Sequence, residues 1–320
     1  YGLYNSIGLR DYVTYINISP KRVSIGDKSA IEDMNKPLVA IIYAEGQIMD
    51  GNMYADGYVF GSRLAEELRQ ARLDNKTKAV VVRVNSPGGS ALASEVAWRE
   101  MTLLQQTKPV VISMGGTAAS GGYYISAPAA LIVANRTTIT GSIGVFGMMM
   151  NCGDALKKHL GVTMDSAATS PNALAPGMFN GCSEAQRASI MKGVDRVYES
   201  FTSKVAEGRN LTIEQVYNIA EGRVWSGTDA VKIGLADTNG GIITAIGIAA
   251  DKAGIADNFR IEEVLPELDP MTAFLQSLNT QVKYATMDND LKALCNDYQT
   301  LKNDILRSGV QTYCPYRVWF

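Results

Sequence analysis

Ala79-Val80-Val81-Val82-Arg83-Val84-Asn85-Ser86-Pro87-Gly88-Gly89-Ser90 and Pro109-Val110-Val111-Ile112-Ser113-Met114-Gly115-Gly116-Thr117-Ala118-Ala119-Ser120-Gly121-Gly122-Tyr123 are built alike. In each, a short apolar run rich in branched residues ends in glycines. Such a run, bounded by turn residues, reads as a strand buried on both faces. Two of them predict an α/β sheet with two tight loops side by side at one edge, where α/β folds gather their sites. Outward from these strands, Leu38 to Tyr43 reads as the first core strand, and Arg63 to Leu73 as a helix with Leu64, Leu68 and Ala71 on one face. A helix is expected from Ser90 and another over Ala118 to Ala127. Asp154 to Leu160 reads as a short helix, Val162 to Met164 as a strand and Ser183 to Glu207 as a long helix. Thr212 with Gln215 forms a capping box that opens a further helix at Ile213. Residues 271–309 hold two more helical patterns, and the aromatic tail Tyr313 to Phe320 is expected to pack.

The glycines permit a particular chemistry. Without a Cβ, backbone amides approach a ligand closely and take conformations closed to other residues. Gly88 and Gly89 can then aim N–H groups at a developing oxyanion, an interaction worth roughly 3 to 4 kcal/mol per donor. Ser120 falls where the second loop turns into a helix, so its hydroxyl sits at a helix N-terminus with the amide of Gly121 behind it. A single Gly-Gly pair more often marks only a turn. Two such loops at consecutive strand ends, one holding Ser-Gly-Gly, favour the convergence of a nucleophile and oxyanion donors.

Composition narrows the class. The 320 residues, 46% of them hydrophobic, are enough to bury a sizeable core in one or two domains. A formal charge of −2 gives no electrostatic reason for nucleic acid or an anionic membrane as partner. Residues 109–135 carry no charged side chain, but glycines, prolines and hydroxyl residues interrupt them, which suits a buried strand, loop and helix better than a membrane span. Cys152, Cys182, Cys295 and Cys314 lack CxxC spacing, and His159 is the only histidine, so no metal site is expected. An oxidising compartment would permit a Cys295–Cys314 disulfide, although buried free thiols are the default reading.

Three strings, Arg83-Val84-Asn85-Ser86-Pro87-Gly88-Gly89-Ser90, Ala118-Ala119-Ser120-Gly121-Gly122-Tyr123-Tyr124 and Thr140-Gly141-Ser142-Ile143-Gly144-Val145-Phe146-Gly147, resemble the signal peptide peptidase A (protease IV) family of bacterial serine peptidases. The resemblance continues through Gly222 to Ala230 and Gly234 to Asp237 and covers most of residues 36–255. It implies an α/β fold, the ClpP/crotonase-like spiral of ββα units with additional outer helices, and a Ser/Lys dyad without a cofactor. By resemblance Ser120 is the nucleophile, Gly88, Gly89 and Gly121 surround the oxyanion hole, and Ser142 hydrogen-bonds the general-base lysine. Val145, Phe146 and Met148 to Met150 are candidates for an apolar substrate groove, with core filling as the commoner use of methionine.

The lysine itself is missing where single-domain members of that family carry it, since no lysine lies between Lys158 and Lys192. The longer, tandem members take the lysine from an N-terminal half and the serine from a C-terminal half, and this chain resembles the latter. The expectation is therefore a linker over residues 1–36, a catalytic domain over 37–256 and a helical extension over 257–320, with the base supplied by an N-terminal half that precedes Tyr1. The resemblance further implies hydrophobic peptides, chiefly cleaved signal peptides, as substrates, a homotetramer, and an inner-membrane location facing the periplasm. Two other readings compete. A Clp-like peptidase would use His159 as base, although Lys157 and Lys158 mark that helix as surface. A crotonase-type acyl-CoA enzyme would use Glu95 as its carboxylate, more simply read as a solvent-facing or capping residue, and leaves Ser120 without a task. A catalytically dead scaffold half fits the missing lysine but not Ser120 and Ser142.

Overall fold

The computed structural model describes residues 36–170, 173–174, 176–264 and 310–313. The first strand, β1 (Leu38–Glu45), leads through β2 (Gln47–Met49) and β3 (Tyr58–Phe60) into helix α1 (Gly61–Leu73). Then come β4 (Thr77–Ser86), β5 (Gly88–Ser90), α2 (Ala91–Gln105), β6 (Val110–Ala119), α3 (Gly121–Ser126), β7 (Leu131–Ala134), β8 (Ile139–Gly141) and β9 (Phe146–Gly147). Helices α4 (Gly153–Leu160), α5 (Glu184–Arg209) and α6 (Ile213–Ile219) follow, then β10 (Val224–Ser226), α7 (Gly227–Lys232), β11 (Thr238–Asn239), α8 (Ile242–Lys252), β12 (Arg260–Glu263) and β13 (Val310–Tyr313).

Two sheets result. The larger has eight strands, with β10-β8-β6-β4-β1-β12 as its main path and β7 and β11 branching from β6. All of its pairings are parallel except β10 with β8. The smaller runs β3-β2-β5-β13-β9. Strand β12 pairs with β1, so the main sheet extends past residue 256.

The apolar runs are continuous because both faces of the main sheet are covered. Side chains alternate along a strand, so Val80, Val82 and Val84 of β4 join Leu64, Leu68, Met101 and Leu104 of α1 and α2. Ala79 and Val81 point the other way, onto Ala245, Ile246, Ala249 and Ala250 of α8. Helix α1 buries Leu64, Leu68 and Ala71 as its spacing predicts. The expected capping box of Thr212 with Gln215 forms, and the structure adds a second, Ser183 with Gln186, at the start of α5.

Three expectations are corrected. Gly115 and Gly116 do not end the second strand: β6 runs on to Ala119, and α3 begins only at Gly121. Strand β6 changes partner at these glycines, leaving β7 after Met114 and taking up β8 from Thr117. Asn85 fills the space beside them, its Oδ1 accepting from the Thr117 amide at 3.1 Å, and a Cβ on Gly115 would press on its side chain at 3.1 Å. Second, Val162 to Met164 form no strand; residues 161–168 are exposed and irregular. Third, Met148 to Met150 fill no core, being 61%, 51% and 52% exposed. The helical patterns at 271–309, both C-terminal cysteines and the tail beyond Tyr313 lie outside the described residues.

Candidate active site

Strands β6 and β8 run parallel with Ala119 opposite Gly141, so Ser120 and Ser142 occupy equivalent positions just past their ends. Both serines adopt positive φ, 53° at Ser120 and 49° at Ser142. This region is costly for a residue with a Cβ, about 1 to 3 kcal/mol, and persists only where the surroundings impose it. They do so through hydrogen bonds. The Ser120 amide donates to the Gly141 carbonyl at 2.9 Å, and the Ser142 amide donates to the Arg223 carbonyl at 2.7 Å. Beyond the turn, Tyr124 N–H donates to the Ser120 carbonyl at 2.8 Å, which makes Ser120 the N-cap of α3.

The Ser120 hydroxyl is the chemically unusual group. Ser120 is fully buried, and its Oγ has no hydrogen-bond partner among the described residues. Its side chain does not cap the helix it begins. Buried hydroxyls are normally satisfied, and an orphan at a strained strand-to-helix turn asks for a partner supplied from elsewhere.

The first glycine segment packs against this turn. A Cβ on Gly122 would stand 2.7 Å from the Ser86 carbonyl, so only glycine lets α3 come this close to the end of β4. A Cβ on Gly89 would stand 1.9 Å from the Ile48 carbonyl, so β5 lies flush on β2 for the same reason. The Gly88 amide donates to Ser86 Oγ at 3.2 Å, a long bond that a stronger acceptor could displace. Gly88, Gly89 and Gly121 are all buried. Ser90 fixes the exit of β5: it caps α2 through the Ala93 amide and donates to Asp50 at 2.5 Å.

Of the other candidates, Phe146 is 43% exposed and Met148 61%, with Val145 partly buried between them and the Ser142 turn. Met178 and Phe179 add to this apolar surface at 42% and 43%, joined to the methionine segment where the Cys152 amide donates to the Met178 carbonyl at 2.8 Å. His159 is exposed on α4. Cys152 and Cys182 are free thiols, and Cys182 is exposed, contrary to the buried default. Among the described residues no helix is long and apolar enough to cross a membrane, and no group of His, Cys, Asp or Glu is placed to hold a metal ion.

A polar cluster behind α3 had no sequence signal. Glu95 is not simply solvent-facing: it accepts from the Tyr124 hydroxyl and pairs with Lys204 at 3.0 Å. Lys204, its side chain 15% exposed, also donates to Ser200 Oγ at 2.7 Å and lies 4.3 Å above the Trp98 ring. Burial and the Glu95 carboxylate push the Tyr124 hydroxyl well above its ordinary pKa, so it stays a neutral donor. The cluster locks α2, α3 and α5 together four residues beyond Ser120, and it engages the lysine ammonium away from the serine. Tyr123 does the same on the opposite side, donating to the Leu235 carbonyl at 2.9 Å.

Residues 102–256 match peptidase family S49. The chain is 40% identical over 265 residues to Protease 4 of Salmonella typhi, covering 81% of this chain and 42% of that protein. It is 35% identical to the chloroplastic serine protease SPPA of Arabidopsis thaliana, covering 81% and 39% respectively. A putative protease of Synechocystis sp. is 32% identical over 68% of this chain and 78% of its own length. The chain thus spans less than half the length of the Salmonella and Arabidopsis proteins. It belongs to peptidase family S49, in the group of protease 4 and SppA.

Proposed function

We propose that this S49 chain carries the nucleophile of a serine endopeptidase that cleaves apolar peptides, released signal peptides among them, through an acyl-enzyme. Ser120 Oγ loses its proton to a neutral lysine and attacks the scissile carbonyl. The carbonyl oxygen, now an anion, takes hydrogen bonds from the amide of Gly121 and from the Gly88-Gly89 segment. The lysinium returns its proton to the departing amine, and a water, deprotonated by the same lysine, then releases the acyl group. Burial and a hydrogen bond from Ser142 keep that lysine neutral near pH 7.

The observation that carries this reading is the buried, unpartnered Ser120 hydroxyl at a strained turn beside buried glycines. No lysine of the described residues satisfies it, and Lys204 is held by Glu95 and Ser200. We therefore assign the base to a lysine of the N-terminal half of the same protein, in a tandem arrangement whose four copies enclose the sites, held at the periplasmic face of the inner membrane. The apolar surface of Val145, Phe146 and Met148 suits hydrophobic substrate side chains.

Hydrolysis of an apolar signal-peptide substrate by this chain, with and without the polypeptide that precedes Tyr1, tests the split dyad. Activity only with that polypeptide supports it. Activity of the chain alone would place the base within residues 1–320 and overturn it.

A further inference from the structure

Two free thiols lie on segments that touch. Cys152 is the N-cap of α4, and Cys182 directly precedes Ser183, the N-cap of α5. Between them run α4 and residues 161–170, all of these last exposed. The chain then comes back to α4 through a turn from Gly177 to Gly181, closed by the Gly181 amide donating to the Gly177 carbonyl at 3.2 Å. Several contacts seat this turn on the start of α4. The Cys152 amide donates to the Met178 carbonyl at 2.8 Å, and the Cys152 thiol donates to the same oxygen at 3.4 Å. A Cβ on Gly153 would stand 2.6 Å from the Phe179 carbonyl, and a Cβ on Gly181 would stand 2.9 Å from Asn151 Nδ2. Asn151 and Gly181 are therefore in contact, and each is the chain neighbour of a cysteine.

Both thiols are held lightly. Cys182 is exposed, and its thiol donates to the Ser183 carbonyl at 3.5 Å; Cys152 is partly buried. A thiol is a weak donor, so little is lost when either sulfur leaves its carbonyl. A disulfide needs Cα atoms about 4.4 to 6.8 Å apart. Consecutive Cα atoms are about 3.8 Å apart, so a shift of the turn on the scale of one residue brings the sulfurs together. Residues 177–180 and 182 are exposed, and such a shift displaces no core side chain.

We propose that Cys152 and Cys182 are a disulfide site, and that the bond staples the start of α4 to the start of α5 and closes the stretch between them into a loop. The oxidant is another disulfide, of a small molecule or a protein. The exposed Cys182, as thiolate, attacks one sulfur of that disulfide; its S–S bond breaks and one thiol departs. The Cys152 thiolate then attacks the Cys182 sulfur of the mixed disulfide, and the second thiol departs. The two cysteines lose two electrons and two protons, and the two sulfurs of the oxidant gain them. The staple matters because the stretch is exposed, irregular over 161–168 and apolar at Val162, Met164, Met178 and Phe179. Joining its ends restricts how far it opens, which protects it from cleavage. This goes beyond the peptidase reading and stands without it.

The test uses the full-length protein carrying Ser120→Ala, which removes any cutting of the protein by itself. After incubation with oxidised glutathione, peptide mass mapping without reduction should find the peptide of Cys152 joined to that of Cys182, and dithiothreitol should separate them. The mapping keeps both cysteines and so does not depend on any cysteine variant folding. Limited proteolysis within residues 153–181 should be several-fold slower in the oxidised protein than in the reduced one. Cys152→Ser and Cys182→Ser should abolish that redox dependence. Cys182 recovered only as its glutathione adduct, or joined to Cys295 or Cys314, would overturn the proposal. So would a Cys152–Cys182 bond that leaves the rate of cleavage unchanged, since it would then staple nothing.

Discussion

The Ser120 amide donates to the carbonyl of Gly141 at 2.9 Å, and this bond joins two turns that the chain builds separately. Gly141 directly precedes Ser142, so the bond carries the end of β6 to the end of β8 and sets both serines past the same edge of the sheet. The nucleophile proposed at Ser120 and the residue proposed to orient its base are thereby placed by backbone alone. Side chains remain free for chemistry.

Ser120→Ala in the assembled enzyme should lower peptide hydrolysis by roughly ten-thousand-fold or more while leaving peptide binding intact, because only the nucleophile is removed. Ser120→Gly should be equally inactive but more stable than the alanine variant by about 1 kcal/mol, since glycine tolerates φ of 53° without strain. Denaturant titration of the two variants reads the difference. Equal stability would mean that the turn is not strained.

Ser142→Ala should slow hydrolysis without unfolding the protein, because the turn is held by the amide of Ser142 and not by its hydroxyl. If Ser142 keeps the lysine neutral by hydrogen bonding, its loss shifts the alkaline-rising limb of the kcat/KM profile. A lower rate with an unmoved limb would remove Ser142 from the base and leave it a structural serine.

Phe201 is fully buried and lies with its ring centroid 4.6 Å from that of Tyr124, joining α5 to the helix that follows Ser120. Phe201→Ala should destabilise the protein by about 3 to 5 kcal/mol, from lost burial and the cavity left behind. Because α3 then loses part of its support, kcat should fall more than KM rises, measured under conditions where the variant is still folded. A loss of stability under about 1 kcal/mol would mean that α5 packs there only loosely.

Asp74 sits between α1 and β4. Burial pushes its carboxyl up, but the Lys76 amide, the Thr77 hydroxyl and amide and the Lys108 ammonium outweigh it and hold the pKa below the ordinary value. A lowered folded-state pKa gives stability that is present above the unfolded value of about 4 and lost as the pH falls through the folded one. Solvent screens this exposed carboxylate, so Asp74→Ala should cost no more than about 1 kcal/mol at pH 7. The gap to the unaltered protein should narrow as the pH falls from 7 through and below the ordinary carboxylate range, read by urea titration at a series of pH values. A gap independent of pH would assign the loss to packing.

The central strands were legible because both their faces are buried, and a parallel sheet covered by helices on each side calls for unbroken apolar runs. Leu38 to Tyr43 and Ala79 to Val84 needed no further signal. Helix starts were legible where a side chain caps them, as at Ser183 and Thr212. The exchange of partners along β6 was not, because Gly115-Gly116 reads locally as a turn and only the contact with Asn85 and the arrival of β8 keep it extended. Ser120 and the glycines could be singled out from their order along the chain. The Glu95–Lys204 pair and the insertion of β13 beside Gly89 could not, since each joins segments whose proximity exists only after folding.

The most direct test is to trap the acyl-enzyme. The assembled protein, treated with an apolar peptide carrying an electrophilic phosphonate in place of the scissile carbonyl, should gain one adduct per site, located by peptide mass mapping at Ser120 and absent from Ser120→Ala. An adduct on any other residue, or hydrolysis retained by Ser120→Ala, would contradict the account.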